Sequence, residues 1–413
     1  MINRAKRFVE EIKPHTSKIF WSNINQGLTT AFALAVSIIL IRLDSKEVYG
    51  QYLFILGIFG LFSIISIPGV RICVFRTAAQ GYDGVYRNAT RFSFLWSLLG
   101  VPLLVITGVF IYIFKARILG IGLIAVALFF PFEEGLQNWI LFLKGRSEFR
   151  RLAFYNSIKF FISLAAVTAS IVFTGNIIVM LVVYFLGNSG FNIFYHLKAV
   201  NSLKNDEVDK GWKRQSLALT IVILSTIVFG RVDIVLIGAL LPFGEVAIYG
   251  LVMKFTDVFF RIIQSTAEAI IPNLYQSKKI TIRYFYKFFL LSFLIPIMLY
   301  PLIKYPVLLL YGRESLDEVG FSKVVDFSQL YVFIIPFYFL DTIATHFMIK
   351  YKLNREINIS RIASMIAVVV LYAILIPLYG IKGGVISSML YFVIQLVMNL
   401  FLLRVRKPEN IVV

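Results

Sequence analysis

The sequence has little charge, one cysteine and only three histidines. Charged residues make up 15% of its 413 residues, whereas a soluble globular protein carries about 25%. A single cysteine, Cys73, excludes an intramolecular disulfide and a cysteine metal cluster. The histidines, His15, His196 and His346, are too far apart in sequence for a helical metal motif. No nucleotide motif and no nucleophile–base set is present, so we predict neither a metal nor a cofactor.

Apolar residues dominate what is there. They form 59% of the chain, and the mean hydropathy is +0.82. A membrane helix needs roughly 20 mostly apolar residues, and twelve stretches qualify. We therefore predict an all-α integral membrane protein with about 12 transmembrane helices. These lie at about 20–41, 50–70, 91–114, 118–143, 152–173, 177–197, 216–241, 246–271, 284–311, 325–349, 360–378 and 380–403.

The basic residues set the predicted orientation, because lysine and arginine concentrate in cytoplasmic loops. With the N-terminus inside, 29 of the 41 lysines and arginines fall in cytoplasmic segments and 7 in outer ones. Both termini are then cytoplasmic. The formal charge of +19 becomes a basic layer at the inner membrane surface, which argues against nucleic acid as a partner. The N-terminus has no small-residue cleavage site, so we expect no cleaved signal peptide.

A charged hydrophilic segment at 201–215 divides the chain into halves of six helices each. We predict an N-terminal lobe at 1–200, a cytoplasmic linker at 201–215 and a C-terminal lobe at 216–413. A short sequence similarity between the halves aligns Gly50 with Ala247 and Tyr52 with Tyr249, an offset of 197 residues. Transporters are often built from repeated halves.

The eighth predicted helix carries ionisable residues at membrane depth, where they are costly and usually functional. At about 100° per residue they fall within an arc of about 100°. Spacing of three and four residues lets neighbours pair. The stripe predicts either a cavity wall that contacts a charged substrate or a self-neutralising ladder packed between helices. Its members are Lys254, Asp257, Arg261, Gln264, Ser265 and Glu268.

Helices 1 and 7 add further candidates. Asn23 and Gln26 share one face of helix 1 with Thr30 and Ser37. Such an uncharged stripe suits sugar hydroxyls, and equally suits hydrogen bonds between helices. On helix 7, Arg231 and Asp233 lie about 200° apart, so we favour Arg231 as the substrate-binding residue.

Ion coupling is assigned to buried acids. Lys159 on helix 5 is predicted at the same depth as Glu133 and Glu134 on helix 4, where it can pair with one of them. Asp257, Glu133 and Glu134 are the candidates for coupling transport to protons or sodium, since intramembrane carboxylates often serve as proton relays.

Several segments, in order, resemble one known family. RVDIVLIGALLPFGEVAIYGLVMKF (231–255) has an Asp-containing helix, a short outer turn and an x-Gly/Ala-x-Tyr entry. AIIPNLY (269–275), ILIPLYGIKGGVISSML (374–390) and, more weakly, LDSKEVYGQY (43–52) follow the same pattern. The chain is similar to the Wzx-type polysaccharide flippases of the multidrug/oligosaccharidyl-lipid/polysaccharide (MOP) exporter superfamily. Ala247 departs from the glycine common there.

The resemblance implies a MATE-like fold of two lobes around a central cavity. It also implies translocation of an undecaprenyl-pyrophosphate-linked oligosaccharide, an O-antigen or capsule repeat unit, across the bacterial inner membrane by alternating access. By position, the family's basic cavity would fall on Arg231, Lys254 and Arg261, with Lys159 from the other lobe.

Three other functions compete. One is a multidrug exporter of the same superfamily, in which cavity acids bind organic cations. Another is a flippase for peptidoglycan precursors. The third is a membrane glycan polymerase, ligase or glycosyltransferase. An enzyme of that kind usually carries a sizeable outer loop, but the largest here, about 312–324, is short, and Asp44 and Glu47 are the only acids in the first one.

Overall fold

The computed structural model describes residues 2–276, 280–281, 292–311, 322–351, 353–406 and 411–412. Side chains at 2–19 and 261–276 fall outside that description. The described chain is almost entirely helical, as predicted. A parallel pair of two-residue strands, β1 (Ile280–Thr281) and β2 (Ile411–Val412), is the exception within those residues.

Seventeen α-helices occur in the described residues. They are α1 (Ile2–Leu43), α2 (Lys46–Phe62), α3 (Gly69–Ala79), α4 (Gly84–Ser97), α5 (Gly100–Phe114), α6 (Arg117–Ala127), α7 (Trp139–Gly145), α8 (Phe149–Thr174), α9 (Ile177–Val200), α10 (Trp212–Leu240), α11 (Phe243–Gln276), α12 (Leu294–Leu302), α13 (Lys304–Tyr311), α14 (Ser322–Tyr331), α15 (Ile335–Lys350), α16 (Asn354–Tyr379) and α17 (Ile381–Arg406). A π-helical turn, Pro131–Gly135, and 3-10 turns at Ser63–Ser66 and Val332–Ile334 complete the helical elements.

Nine segments of the described chain are long and apolar enough to cross a membrane, and a bent pair makes a tenth. They correspond to ten of the twelve predicted helices. The predicted helix 246–271 lies within α11, a continuous helix whose five ionisable residues lower its hydropathy. The predicted helix 284–311 is described only from residue 292 onward, where an apolar stretch spans Leu294–Leu309. The protein is therefore a multi-pass membrane protein.

The bent pair corrects one predicted element. The stretch 118–143, predicted as one transmembrane helix, consists of α6 and a second helical segment, Pro131–Gly145, with a bend of 50° between them. Pro131 starts the π-helical turn at the break, and proline interrupts a helix because it lacks an N–H and clashes with the preceding turn. The turn also places Glu133 and Glu134 at the break instead of within a regular helix.

The first of two compact units comprises Met1–Ser45 and Ile58–Ile227. Large side chains such as Trp139 and Phe142 are fully buried in its core. A buried ion pair joins Asp83, before α4, to Arg146, after α7, and Arg146 also donates to the carbonyl of Ser202 at 2.7 Å. This cluster ties three connecting segments together at one end of the unit.

The second unit comprises Lys46–Gly57 and Val228–Val413. The start of α2 packs tightly against the start of α11. A Cβ at Gly50 would lie 1.8 Å from the carbonyl oxygen of Phe243 and 3.2 Å from the nitrogen of Ala247. Ala247 is fully buried. The two similar segments, around Gly50 and Ala247, are thus in direct contact. Small residues at these positions let the two backbones approach each other closely.

Candidate functional site

Arg231 and Asp233 occupy opposite environments on α10, as their predicted separation of about 200° around the helix requires. Arg231 is exposed, in the middle of the apolar segment Ile223–Leu240. It forms no ion pair with any described residue. Asp233 is buried, and its carboxylate accepts hydrogen bonds from the Tyr249 hydroxyl and the Ile234 N–H, both at 2.7 Å.

Asp233 belongs to a buried hydrogen-bond chain across four helices. The Tyr249 hydroxyl on α11 lies 2.8 Å from the Ser388 hydroxyl on α17. The Tyr372 hydroxyl on α16 lies 2.8 Å from the same Ser388 oxygen. Because every member is buried and bonded, Asp233 is a structural group that anchors α10, which leaves Arg231 as the outward-facing charge of that pair.

The charged stripe of α11 is partly described. The Lys254 ammonium lies over the Tyr49 ring, 5.0 Å from its centroid. The Lys254 side chain is half-buried, and Asp257 is exposed one turn further along. Arg261 lies on the same helix, but its side chain is outside the described residues, so its predicted pairing with Asp257 stays a prediction.

The polar residues of α1 divide differently from the predicted stripe. Asn23 and Gln26 are exposed. Asn25, which the sequence analysis passed over, is buried, and its side-chain oxygen accepts a 2.6 Å hydrogen bond from Asn156 on α8. Inter-helix hydrogen bonding therefore uses Asn25, and the Asn23 and Gln26 side chains point away from the packed core of the first unit.

The acids of the π-helical turn have different partners. Glu134 forms an ion pair with Arg71 on α3. The Glu133 carboxylate accepts from the Asn192 amide at 3.4 Å, and the Asn192 oxygen accepts from the Lys159 ammonium at 3.4 Å. Lys159 is buried, and the Asn192 amide lies between its ammonium and the Glu133 carboxylate, so a direct ion pair of Lys159 with one of these acids stays a prediction.

One polar cluster was missed by the sequence analysis. Asp341 on α15 is buried, and its carboxylate accepts from Asn399 at 2.7 Å and from Gln395 at 3.0 Å, both on α17. A search for ionisable residues alone finds Asp341 without its amides. The signal is that Gln395 and Asn399 are one helical turn apart in an otherwise apolar segment.

Within the part of the chain that the structure describes, no three histidine, cysteine or acidic side chains come together in a way that could hold a metal ion.

Comparison with known proteins gives a structural likeness without a sequence match. No family model matches the sequence, and no curated protein does. The lipid II flippase MurJ, in an inward closed conformation, superposes with a TM-score of 0.67 at 13% identity, covering 93% of this chain and 87% of MurJ. The eukaryotic MATE transporter AtDTX14 superposes with a TM-score of 0.64 at 13% identity, covering 95% and 96% of the two chains.

An inward-facing multidrug resistance MATE transporter of the MOP superfamily is similar to the same degree, with a TM-score of 0.66 at 11% identity, covering 93% of this chain and 98% of its own. At such identities the likeness is one of fold, because unrelated substrates are carried on one scaffold. The chain has the MATE-like fold of MOP superfamily transporters.

Proposed function

We propose that this protein is a MOP-type flippase that moves an undecaprenyl-pyrophosphate-linked oligosaccharide, an O-antigen or capsule repeat unit, across the bacterial inner membrane. The observation that carries the proposal is Arg231. A guanidinium in the middle of an apolar span, exposed and without an ion-pair partner among the described residues, is costly unless water or an anionic ligand reaches it. An acidic lipid headgroup is such a ligand.

The chemistry of the cargo fits this assignment. A pyrophosphate has to leave water to cross about 30 Å of hydrocarbon, and guanidinium and ammonium groups offset that loss through charge-assisted hydrogen bonds. Arg231, Lys254 and Arg261 would bind the phosphates, and the predicted substrate-binding role of Lys159 stays a prediction. The exposed amides Asn23 and Gln26 would meet sugar hydroxyls.

Alternating access completes the proposed mechanism. The lobes 1–200 and 216–413 would rock about the linker 201–215, with both termini cytoplasmic. Glu133 is the strongest candidate for proton or sodium coupling because a single amide separates it from Lys159. Glu134 is engaged by Arg71, and Asp257 is the candidate in the second unit.

A multidrug exporter is the second candidate, and the exposed carboxylate of Asp257 on α11 favours it. Organic cations bind acids, so this function would depend on Asp257 and tolerate loss of the Arg231 charge. The structural comparisons favour neither substrate class.

A cell-based experiment separates the two. In a host whose own glycan flippase is deleted, Arg231→Ala should lower surface glycan by about tenfold, or roughly 1.4 kcal/mol of binding, with drug susceptibility unchanged. Arg231→Lys, which keeps the charge, is the matched control and should retain most of the glycan. Unchanged glycan at equal protein level, or drug sensitivity that follows Asp257→Asn, would transfer the assignment to the drug exporter.

A further inference from the structure

A groove opens on the surface of the first unit between α1 and the start of α8. Its volume is about 600 Å³. Trp21 and Ile24 from α1 line one side, and the other side is lined by Glu148, Arg150, Arg151, Ala153, Phe154 and Ser157. Phe154 is 62% exposed. The groove therefore has a charged end and an apolar wall.

A second groove continues along the same pair of helices. It has a volume of about 480 Å³ and is lined by apolar side chains, among them Ile39, Phe161 and Val172. Most of the α8 residues that line the two grooves are spaced three or four positions apart, which keeps them on one face of the helix. These are Arg150, Phe154, Ser157, Phe161, Leu164, Thr168 and Val172, and Arg151, Ala153, Ala165, Ala169 and Phe173 line the grooves beside them.

The two grooves together form a seam between α1 and α8, and the two helices run in the same direction along it. Asn25 contacts Asn156, and further along Phe32 stacks on Phe160 with ring centroids 4.7 Å apart. At a rise of about 1.5 Å per residue, Phe161 lies about 16 Å from Arg150 along the α8 axis. One leaflet of the hydrocarbon core is about 15 Å deep, so a lipid held at Arg150 would bring its acyl chain to Phe161.

At the charged end of the groove, one of two neighbouring arginines has no ion-pair partner among the described residues. Arg151 is already engaged, since its Nε donates to the Tyr155 hydroxyl at 2.8 Å and its Nη1 lies 3.0 Å from a Glu148 carboxylate oxygen. Arg150 is exposed and forms no ion pair within the described residues; its guanidinium lies 5.7 Å from the Trp21 ring. Tryptophan is enriched at the depth of lipid headgroups.

We propose that this seam is a binding site for one anionic phospholipid. The phosphodiester contacts Arg150 beside Trp21, and an acyl chain follows Ile24, Phe154 and Phe161. Among the described side chains at this end, one guanidinium lacks an ion pair, which matches the single negative charge of a phosphatidylglycerol headgroup, whereas a pyrophosphate carries more charge. The bound lipid would stabilise the packing of α1 on α8. This site is independent of the transported substrate.

Lipid retention by the full-length protein tests the proposal. The purified, delipidated protein is titrated with dioleoyl phosphatidylglycerol, dioleoyl phosphatidylcholine or undecaprenyl pyrophosphate, and bound lipid is counted by native mass spectrometry. Phosphatidylglycerol should bind several-fold more tightly than phosphatidylcholine, which has the same chains and no net charge. Arg150→Gln should weaken phosphatidylglycerol binding about tenfold, equal to roughly 1.4 kcal/mol.

The matched control is Arg91→Gln, which removes an exposed arginine of the same unit that does not line the seam. It should leave lipid binding unchanged. Phe161→Ser should weaken both phospholipids, because it shortens the apolar wall. Equal binding of the two phospholipids, or equal loss in Arg150→Gln and Arg91→Gln, would overturn the proposal. Arg150-dependent binding that prefers undecaprenyl pyrophosphate would also overturn it.

Discussion

At the residue scale, Asp83 and Arg146 form a buried ion pair in the first unit. Their side chains are only 4% and 8% exposed. A buried charge without its partner keeps its desolvation cost and loses its compensation. These residues therefore hold the connecting segments of the first unit in place.

Removing the Arg146 charge should destabilise the protein strongly. Arg146→Ala leaves Asp83 buried and unpaired, which costs about 3–5 kcal/mol. The control is Arg87→Ala, whose pair with Asp206 is largely exposed and is worth at most about 1 kcal/mol. Thermal unfolding in detergent measures the loss of stability in each variant. Similar losses in Arg146→Ala and Arg87→Ala would show that the buried Asp83–Arg146 pair contributes no more to stability than an exposed pair.

Cys73 gives a prediction about pH. Burial raises the pKa of this thiol above its ordinary value of about 9. The neutral thiol is thus favoured in the folded protein, and the stability this adds is present below about pH 9 and is lost as the pH rises through the higher folded pKa. At about pH 7.5, N-ethylmaleimide should label denatured protein at least about tenfold faster than native protein, because thiolate is the nucleophile. Equal rates would contradict the burial.

At the element scale, the close approach of α2 and α11 depends on Gly50. In Gly50→Ala the new methyl group would meet a backbone carbonyl at 1.8 Å, which cannot rotate away. We therefore expect a loss of stability near the upper end of the range of about 1–3 kcal/mol that is typical for overpacking. Gly187→Ala in α9 is the control, because a Cβ there meets nothing within 4 Å. Unfolding of the purified variants should separate them, and equal stability would refute this packing.

The stripe on α11 predicts access from water. If the stripe lines a cavity, Lys254→Cys should react with a charged methanethiosulfonate reagent, because ionisable side chains within a membrane usually face a water-filled cavity or the interior of the bundle. Val252→Cys, at a fully buried position of the same helix, should stay unmodified. If the thiol introduced in Lys254→Cys proved as inert as that control, the stripe would be a sealed seam between helices.

Hydropathy alone predicts most of the membrane-spanning helices, because a span of about 20 apolar residues is recognisable without knowing what it packs against. It did not predict the bend at Pro131–Gly135, since a proline within an apolar run is often tolerated. Periodicity places Asn23 and Gln26 on one face of α1, but it does not show that Asn25 bonds to Asn156. Partners distant in sequence, such as Asp341 and Asn399, depend on tertiary packing.

At the scale of the whole molecule, a transporter fold is combined with basic side chains within its apolar helices. A MATE-like bundle carries an exposed arginine in mid-span on α10 and a half-buried lysine on α11. Both charges are tolerated if an acidic headgroup and its water pass beside them. We therefore propose that Arg231 binds the phosphates of a lipid-linked oligosaccharide during translocation.

Reconstituted translocation tests that claim most directly. Proteoliposomes are loaded with an undecaprenyl-pyrophosphate-linked oligosaccharide, and its arrival in the opposite leaflet is followed with an impermeant lectin. The wild-type protein should accelerate arrival over protein-free vesicles, Arg231→Ala should slow it about tenfold, equal to roughly 1.4 kcal/mol of barrier, and Arg231→Lys should stay close to wild type. No acceleration by the wild-type protein, or an Arg231→Ala rate equal to it, would contradict the account.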